Sequence, residues 1–339
     1  MSRSLTVGVI GGGQLGRMLG LAGLPLGISC RFLDPDVDAC AGRVGELIVG
    51  AYDDPAALAR LADGCDAVTF EFENVPVEAA AVVGCLPGAA ALRRGQDRLV
   101  EKRFFRELGI EAARFGTLAE TGVPALVKTR RLGYDGKGQR RADVVEELGP
   151  DEVAEAIVPF SRELSIIGVR AQDGETRFWP LTENVHTNGI LQLSRALVAC
   201  AHQAAAEELC SRLLEALDYV GVLAVELFEV DGRLLANEFA PRVHNTGHWT
   251  LDAAVTSQFE NHLRAVLGLP LGDTRATAGA VMVNLIGRVP PLEGLAAVPG
   301  ARVHLYGKQA RPGRKLGHVT LLDPEVGTEQ RLLELIARQ

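Results

Sequence analysis

The sequence contains no CxxC pair, no short metal-ligand spacing of cysteines, no internal repeat and no low-complexity tract. It also lacks any apolar run approaching the roughly 20 residues needed to span a bilayer. Its six cysteines, Cys30, Cys40, Cys65, Cys85, Cys200 and Cys210, therefore read as buried thiols of a reducing compartment. Positive charge is not in excess. A net charge of -8 with 23% charged residues argues against a protein that coats nucleic acid, because that affinity needs a basic face. No basic region followed by an apolar stretch and cleavage site opens the chain, so the expectation is a cytoplasmic protein with neither membrane nor nucleic-acid partners. The Walker A pattern GxxxxGK[ST] is absent as well.

What is present supports real cores: 47% of the 339 residues are hydrophobic, enough for two or three domains. Leu5 to Ile10 reads as a strand, Gly11 to Gly16 as a tight turn, Leu15 to Gly23 as a helix and Ser29 to Leu33 as a second strand, a βαβ opening. Further strands at Glu46 to Val49 and Ala67 to Phe72, around a helix at Pro55 to Ala62, predict an α/β domain with an open, mostly parallel sheet over residues 1–95. Residues 96–180 read as a connecting helix, Arg98 to Leu108, and a small, separately moving lobe. That lobe contains a strand at Ala125 to Lys128, a helix around Asp151 to Ile157 and a strand at Leu164 to Val169. Residues 181–339 form the last domain, with helices at His202 to Leu217 and Ser257 to Leu267, a strand at Ala280 to Ile286 and a helix after Thr328.

The chemistry concentrates between Leu223 and Trp249. Alternating apolar residues flank a turn at Asp231-Gly232, so two antiparallel strands are expected to bring Glu226 and Glu238 together at equal distances from the turn. Two neighbouring carboxylates repel unless a cation lies between them, and hard oxygen ligands suit magnesium shared with nucleotide phosphates. Asn237 offers a third oxygen. A solvated strand face is the plainer alternative. Behind the pair, Arg242, His244, Asn245 and His248 crowd a loop broken by Pro241 and Gly247, where a guanidinium can hold phosphoryl or carboxyl oxygens. Zinc at His244 and His248 would need more donors than this segment offers.

Three further segments carry signals. Gly11, Gly13 and Gly16 satisfy GxGxxG, with Asp34 ending the next strand, which permits a dinucleotide reading; the same turn can instead offer backbone amides to a sugar phosphate beside Gln14 and Leu15. Glu71 and Glu73 fall two apart at a strand end and should share a face, with Glu71 the candidate for a substrate amine or ribose. Lys128, followed by glycines at 133, 136 and 138, suggests a hairpin laying amides over phosphates. Lys308, Arg311, Arg314 and Lys315 surround a Pro312-Gly313 turn and suit an anionic group.

GGGQLGRM at 11–18, TFEFENVP at 69–76, VKTRRLGYDGKGQ at 127–139, NEFAPRVHNTGHW at 237–249 and GKQARPGRKLGH at 307–318 occur in this order. Together they resemble the N5-carboxyaminoimidazole ribonucleotide synthetases, a family of ATP-grasp enzymes. The resemblance implies an ATP-grasp fold behind a Rossmann-like substrate domain, and an ATP-dependent carbon-nitrogen ligase of purine biosynthesis. Its substrates would be 5-aminoimidazole ribonucleotide, bicarbonate and ATP, with Mg2+ and a carboxyphosphate intermediate. It also implies a homodimer and hand-off of the product to a mutase. Arg98, Lys128, Gly133, Tyr134, Asp135, Gly136, Lys137, Gly138 and Gln139 would hold ATP, with Glu155, Ala156, Ile157 and Val158 as adenine hinge and Glu163 on the ribose. His186, Asn237 and Glu238 would complete that site, and Glu226 and Glu238 would ligate the metal. Gln14, Leu15 and Glu71 would meet the ribonucleotide, and Lys308, Arg314 and Lys315 its phosphate. Arg242, with Tyr134, Asp135, His244 and Asn245, would stabilise bicarbonate and carboxyphosphate. Lys102 is a possible substitute for Arg98. The rivals are a formate-dependent glycinamide ribonucleotide transformylase, which usually has Glu at the position of Gln14, an NAD-binding oxidoreductase, and a ligand-binding module without turnover.

Overall fold

A computed structural model describes residues 4–133 and 137–337, so Tyr134, Asp135 and Gly136 lie outside the described residues. The amino-terminal sheet has four parallel strands in the order Glu46–Val49, Ile28–Asp34, Leu5–Ile10 and Ala67–Phe70. Apolar runs such as Val7, Val9, Phe32 and Leu33 are fully buried, as expected of parallel strands covered on both faces. The helix Gln14–Gly23 follows the first strand directly and buries Leu15, Met18 and Leu19.

A second sheet of nine described strands forms the body. Its order runs Arg233–Ala240, Gly221–Val230, Arg162–Arg170, Thr182–Thr187, Ile190–Ala196, Ala280–Ile286, Lys315–Leu322 and Ala301–Leu305, with Thr176–Phe178 added to Arg162–Arg170. Arg162–Arg170, placed with the small lobe by sequence, is thus an interior strand of the body, and its sheet continues past residue 180. The small lobe's own sheet is Phe115–Gly116, Glu152–Ala156, Ala125–Thr129 and Gln139–Ala142, all antiparallel. Residues 152–156 are therefore strand, not the expected helix. Ala and Glu favour a helix locally, but pairing on both sides with Ala125–Thr129 and Phe115–Gly116 overrides that preference.

The helix Arg98–Glu107 joins these parts. Asp97 caps it by accepting from Leu99 N–H at 3.0 Å, and the same carboxylate takes Arg130 Nη2 at 2.7 Å from the end of the lobe strand. Glu101 accepts Phe239 N–H at 2.7 Å, and the buried Lys102 donates to the Asn237 carbonyl. The first turn, carrying Arg98, is thereby locked against the carboxylate hairpin.

His262 joins the amino-terminal sheet to the body. Its Nδ1 accepts Val222 N–H at 3.1 Å, so Nε2 carries the proton and reaches Thr69 Oγ1 at 2.8 Å. Burial pulls its pKa down to about 4. The unfolded chain therefore binds a proton that the fold refuses: this contribution is complete above about pH 6.5 and is lost as pH falls toward 4. Thermal unfolding followed from pH 7 to 4 should show His262→Gln flattening the acid loss by up to about 1.4 kcal/mol per pH unit; parallel profiles would refute the assignment.

Candidate functional site

One cleft of about 610 Å³ lies between the lobe, the body and the amino-terminal domain. Its floor is the hairpin Gly221–Val230 and Arg233–Ala240. Asp231 and Gly232 both have positive φ (49° and 73°), the geometry of a tight two-residue hairpin turn. Glu226 pairs with Glu238 across the strands, as expected, but not by equal spacing from the turn. Val230 pairs with Arg233 and Leu227 with Ala236, and a bulge then skips Asn237 so that Glu226 meets Glu238. The bulge turns Asn237 out of register: its carbonyl takes Lys102, while its buried Oδ1 has no partner within the protein.

The two acids differ. Burial and then the neighbouring Glu238 charge raise the pKa of Glu226. Burial would raise Glu238 too, but Arg98, at 2.7 Å through Nη1, holds it low. Glu238 therefore stays ionised and Glu226 is the acid that a cation would release from protonation. Arg98 also donates to the Gly133 carbonyl at 3.1 Å, linking floor and lobe. This places Arg98 at the cleft and leaves Lys102 beneath it, where Lys102 lies 3.5 Å from Glu155.

Above the floor, Lys128, Gly133, Lys137, Gly138 and Gln139 line the cleft. Lys128 Nζ rests 2.9 Å from Glu155 Oε2. Burial would raise Glu155, but Lys102 and Lys128 bring it down to about 2, and its buried Oε1 has no partner within the protein. Of the four expected hinge residues, Glu155, Ala156, Ile157 and Val158, none lines the described cleft. Phe160 and Phe228 do, stacked 4.8 Å apart and 12° from parallel, an aromatic surface that the sequence reading missed. Glu163 and His186 pair through Nδ1 at the same wall, and this hydrogen bond raises His186 despite a burial penalty.

At the other end stand Glu73, Arg242, His244, Asn245 and Lys315. Arg242 donates through Nε to Glu73 and through Nη1 to the Val243 carbonyl at 3.1 Å. Burial would raise Glu73, yet the guanidinium brings it to about 2. His244 is driven down to about 3 by burial and Arg242, so it faces Glu226, 3.6 Å away, as a neutral ring. Both polar atoms of the Asn245 amide are buried and unpartnered within the protein.

The glycine turn departs from expectation. Glu71 accepts from Gly13 N–H at 3.0 Å and from Leu15 and Gly16 N–H at 3.1 Å, while Asp34 accepts from Gly12 N–H at 2.8 Å and Tyr52 O–H at 2.9 Å. The amides that would cradle a pyrophosphate already hold carboxylates, and Asp34 is spent on the protein itself. With the Gly12, Gly13, Leu15 and Gly16 N–H groups already taken, the turn lends a dinucleotide no support. The glycines serve this carboxylate: a Cβ at Gly13 would lie 2.6 Å from Glu71 Oε1, and one at Gly11, whose φ is +106°, 2.4 Å from Glu71 Cγ. Glu71 thus shapes the turn and Leu15 packs against the core, while both, with Gln14, line the cleft. Glu73, beyond the strand's end at Phe70, is the acid that meets Arg242, so the two do not act as one strand face. Glu71→Ala, which strands three amides, should cost about 3 kcal/mol in urea unfolding; a loss below about 1 kcal/mol would contradict this account.

Gln14 lines the cleft and accepts from Lys308 Nζ; Arg314, on the following turn, donates to the Gln309 carbonyl at 3.3 Å, and neither Lys308 nor Arg314 lines the described cleft. Burial, and then the nearby Arg314 and Lys315 charges, lower the pKa of Lys308. Such a group gains by meeting an anion.

Comparison with known proteins matches three families along the chain. They are the ribonucleotide synthetase preATP-grasp domain at residues 4–92, the ATP-grasp domain at 105–259 and the phosphoribosylaminoimidazole carboxylase C-terminal domain at 280–331. The N5-carboxyaminoimidazole ribonucleotide synthase of Pseudomonas aeruginosa is 51% identical, over 98% of this chain and 99% of its own. The crystal structure of the Thermus thermophilus synthetase superposes with a TM-score of 0.90 at 51% identity, covering 98% of this chain and 97% of that one. An Aspergillus clavatus synthase in complex with ADP and 5-aminoimidazole ribonucleotide gives 0.89 at 30% identity, with full coverage of both chains.

Proposed function

The chain belongs to the N5-carboxyaminoimidazole ribonucleotide synthase family of ATP-grasp ligases and is an ATP-dependent enzyme carboxylating 5-aminoimidazole ribonucleotide in purine biosynthesis; from this premise we propose how the cleft divides the work. ATP lies between floor and lobe, its base against Phe160 and Phe228 and within reach of the unpartnered Glu155 Oε1. Glu163 and His186 serve the ribose, and Lys128 with the segment Gly133–Gln139 serves the phosphates. The observation that carries this division is the pair of cleft-lining residues Asn237 and Asn245, whose buried polar atoms have no partner within the protein, with a third such atom, Glu155 Oε1, behind the cleft-lining Lys128.

Magnesium fits the floor, because Glu226 and Glu238 converge there beside the orphaned Asn237 Oδ1. When bound, it supplies charge neutralisation to the nucleotide phosphates. Arg98 keeps Glu238 ionised, and Arg242, held by Glu73, faces the bicarbonate that receives the γ-phosphoryl group. The amine of the ribonucleotide attacks the carbon of the resulting carboxyphosphate, the carbon-oxygen bond to the phosphoryl group breaks, and inorganic phosphate and the amine proton leave. His244, kept neutral, and Asn245 offer hydrogen bonds without adding charge. Gln14, Lys308 and Lys315 form the ribonucleotide wall, the lysines taking its phosphate with Arg314 on the adjoining turn. The lobe, including Tyr134 and Asp135, excludes water that would destroy the intermediate. Six free thiols and the absence, among the described residues, of a helix able to cross a membrane accord with a cytoplasmic enzyme. A homodimer handing its product to a mutase belongs to the same reading.

Labelled bicarbonate tests it directly. Carbon from bicarbonate should appear on the ribonucleotide, and ADP release should rise well above its background rate only with both bicarbonate and 5-aminoimidazole ribonucleotide present. Turnover driven instead by formate and glycinamide ribonucleotide would overturn it.

A further inference from the structure

A second group of metal-ligating side chains lies outside the cleft. His304 and His318 are direct cross-strand partners in Ala301–Leu305 and Lys315–Leu322, and their rings stack 4.5 Å apart at 11°. Asp252, from the short helix Thr250–Ala253, places Oδ2 2.8 Å from His304 Nε2. One ligand atom from each of the three lies within 4.8 Å of the others. The buried His248 packs its ring 5.0 Å from that of His318.

Hydrogen bonding leaves this group incomplete. His318 is fully buried and its Nδ1 is occupied by Tyr306 Oη at 2.8 Å, but its Nε2 has no partner within the protein. His248 Nδ1 is likewise buried and unpartnered. Two orphaned ring nitrogens on adjacent buried imidazoles are costly unless something accepts or donates there. When His318 Nδ1–H donates to Tyr306 Oη, its Nε2 presents a lone pair, the arrangement that outer hydrogen bonds give metal-ligating imidazoles. His304, about 29% exposed, leaves an entry from solvent.

We propose that Asp252, His304 and His318, with His248 behind them, form a binding site for a borderline-soft divalent transition ion, with zinc as the best fit. Two imidazoles and a carboxylate favour zinc over magnesium, which prefers all-oxygen ligands. Ligands about 2.0–2.1 Å from zinc stand roughly 3.3 Å apart, so binding draws the group together and turns the two stacked rings until their in-plane lone pairs converge, with the metal in place of the proton between His304 and Asp252. Asp252 follows the Arg242–Trp249 segment and His304 stands four residues before Lys308. A metal here would pin those two chain segments together without touching the reaction.

The test uses the full chain freed of metal by chelator and titrated with cobalt(II), then zinc. One equivalent of cobalt should give visible absorption of a tetrahedral nitrogen-oxygen site, zinc should displace it, and zinc should raise the melting temperature. Asp252→Asn and His304→Ala, each checked by circular dichroism in chelator, should bind zinc at least about a hundredfold more weakly. The double variant Glu226→Gln/Glu238→Gln should keep the cobalt band, separating this site from the catalytic floor. No band and no thermal shift in the unaltered protein, or a band that survives both Asp252→Asn and His304→Ala, would overturn the proposal.

Discussion

Glu238→Gln should lower kcat for ADP formation by at least about a thousandfold while the protein remains folded. The change keeps the side chain's shape and can still accept one hydrogen bond from Arg98, now 2.7 Å away, but removes the charge that a metal on the floor requires. It also removes the repulsion that raises the Glu226 pKa, so Glu226 ionises more readily and partly offsets the lost charge. The loss should therefore appear chiefly in kcat and in the magnesium concentration needed for half-maximal rate. Thermal stability should change little, since the carboxylate is 39% exposed on its cleft side. Steady-state assays across magnesium concentration decide the matter; turnover within about tenfold of the parent, at the same magnesium requirement, would remove the floor from the mechanism.

How far the site was legible in sequence depends on what each residue's neighbours enforce. Alternation and the Asp-Gly turn disclosed the hairpin. The expectation of equal distances from the turn was wrong: four residues lie between Glu226 and Asp231 and five between Gly232 and Glu238, and a bulge reconciles that mismatch with facing carboxylates. The hairpin Thr182–Thr187 and Ile190–Ala196 had its own signal in Asn188-Gly189, both with positive φ, but its polar composition hid it, and His186 was reached by resemblance alone. Residues 152–156 carried no local mark of strand, because their partners are remote in sequence. The glycine turn was read correctly as a turn, but its amides are not free for a phosphate as that reading expected. Nothing within it reveals that Glu71, 55 to 58 residues onward, takes its amides.

Glu73 is the residue whose role only three dimensions expose, and its pairing with Arg242 yields the second large expectation. Arg242→Ala should reduce kcat by about 100- to 1,000-fold, the scale expected for one donor aimed at developing charge, with little change in KM for ATP. Lysine should not rescue it. A single ammonium cannot bond Glu73 and the Val243 carbonyl as Nε and Nη1 do and still present a flat donor edge to a carboxylate-like substrate. Glu73→Gln keeps the guanidinium but loosens its anchor, so it should fall between, with about a tenfold to hundredfold loss from misplacement. If Arg242 acts on bicarbonate, these losses must track the bicarbonate-dependent step: residual ATP hydrolysis without bicarbonate should be unchanged in all three variants. An equal decline in that background rate, or an Arg242→Lys enzyme close to the parent, would show that the guanidinium acts on the nucleotide or only on the fold.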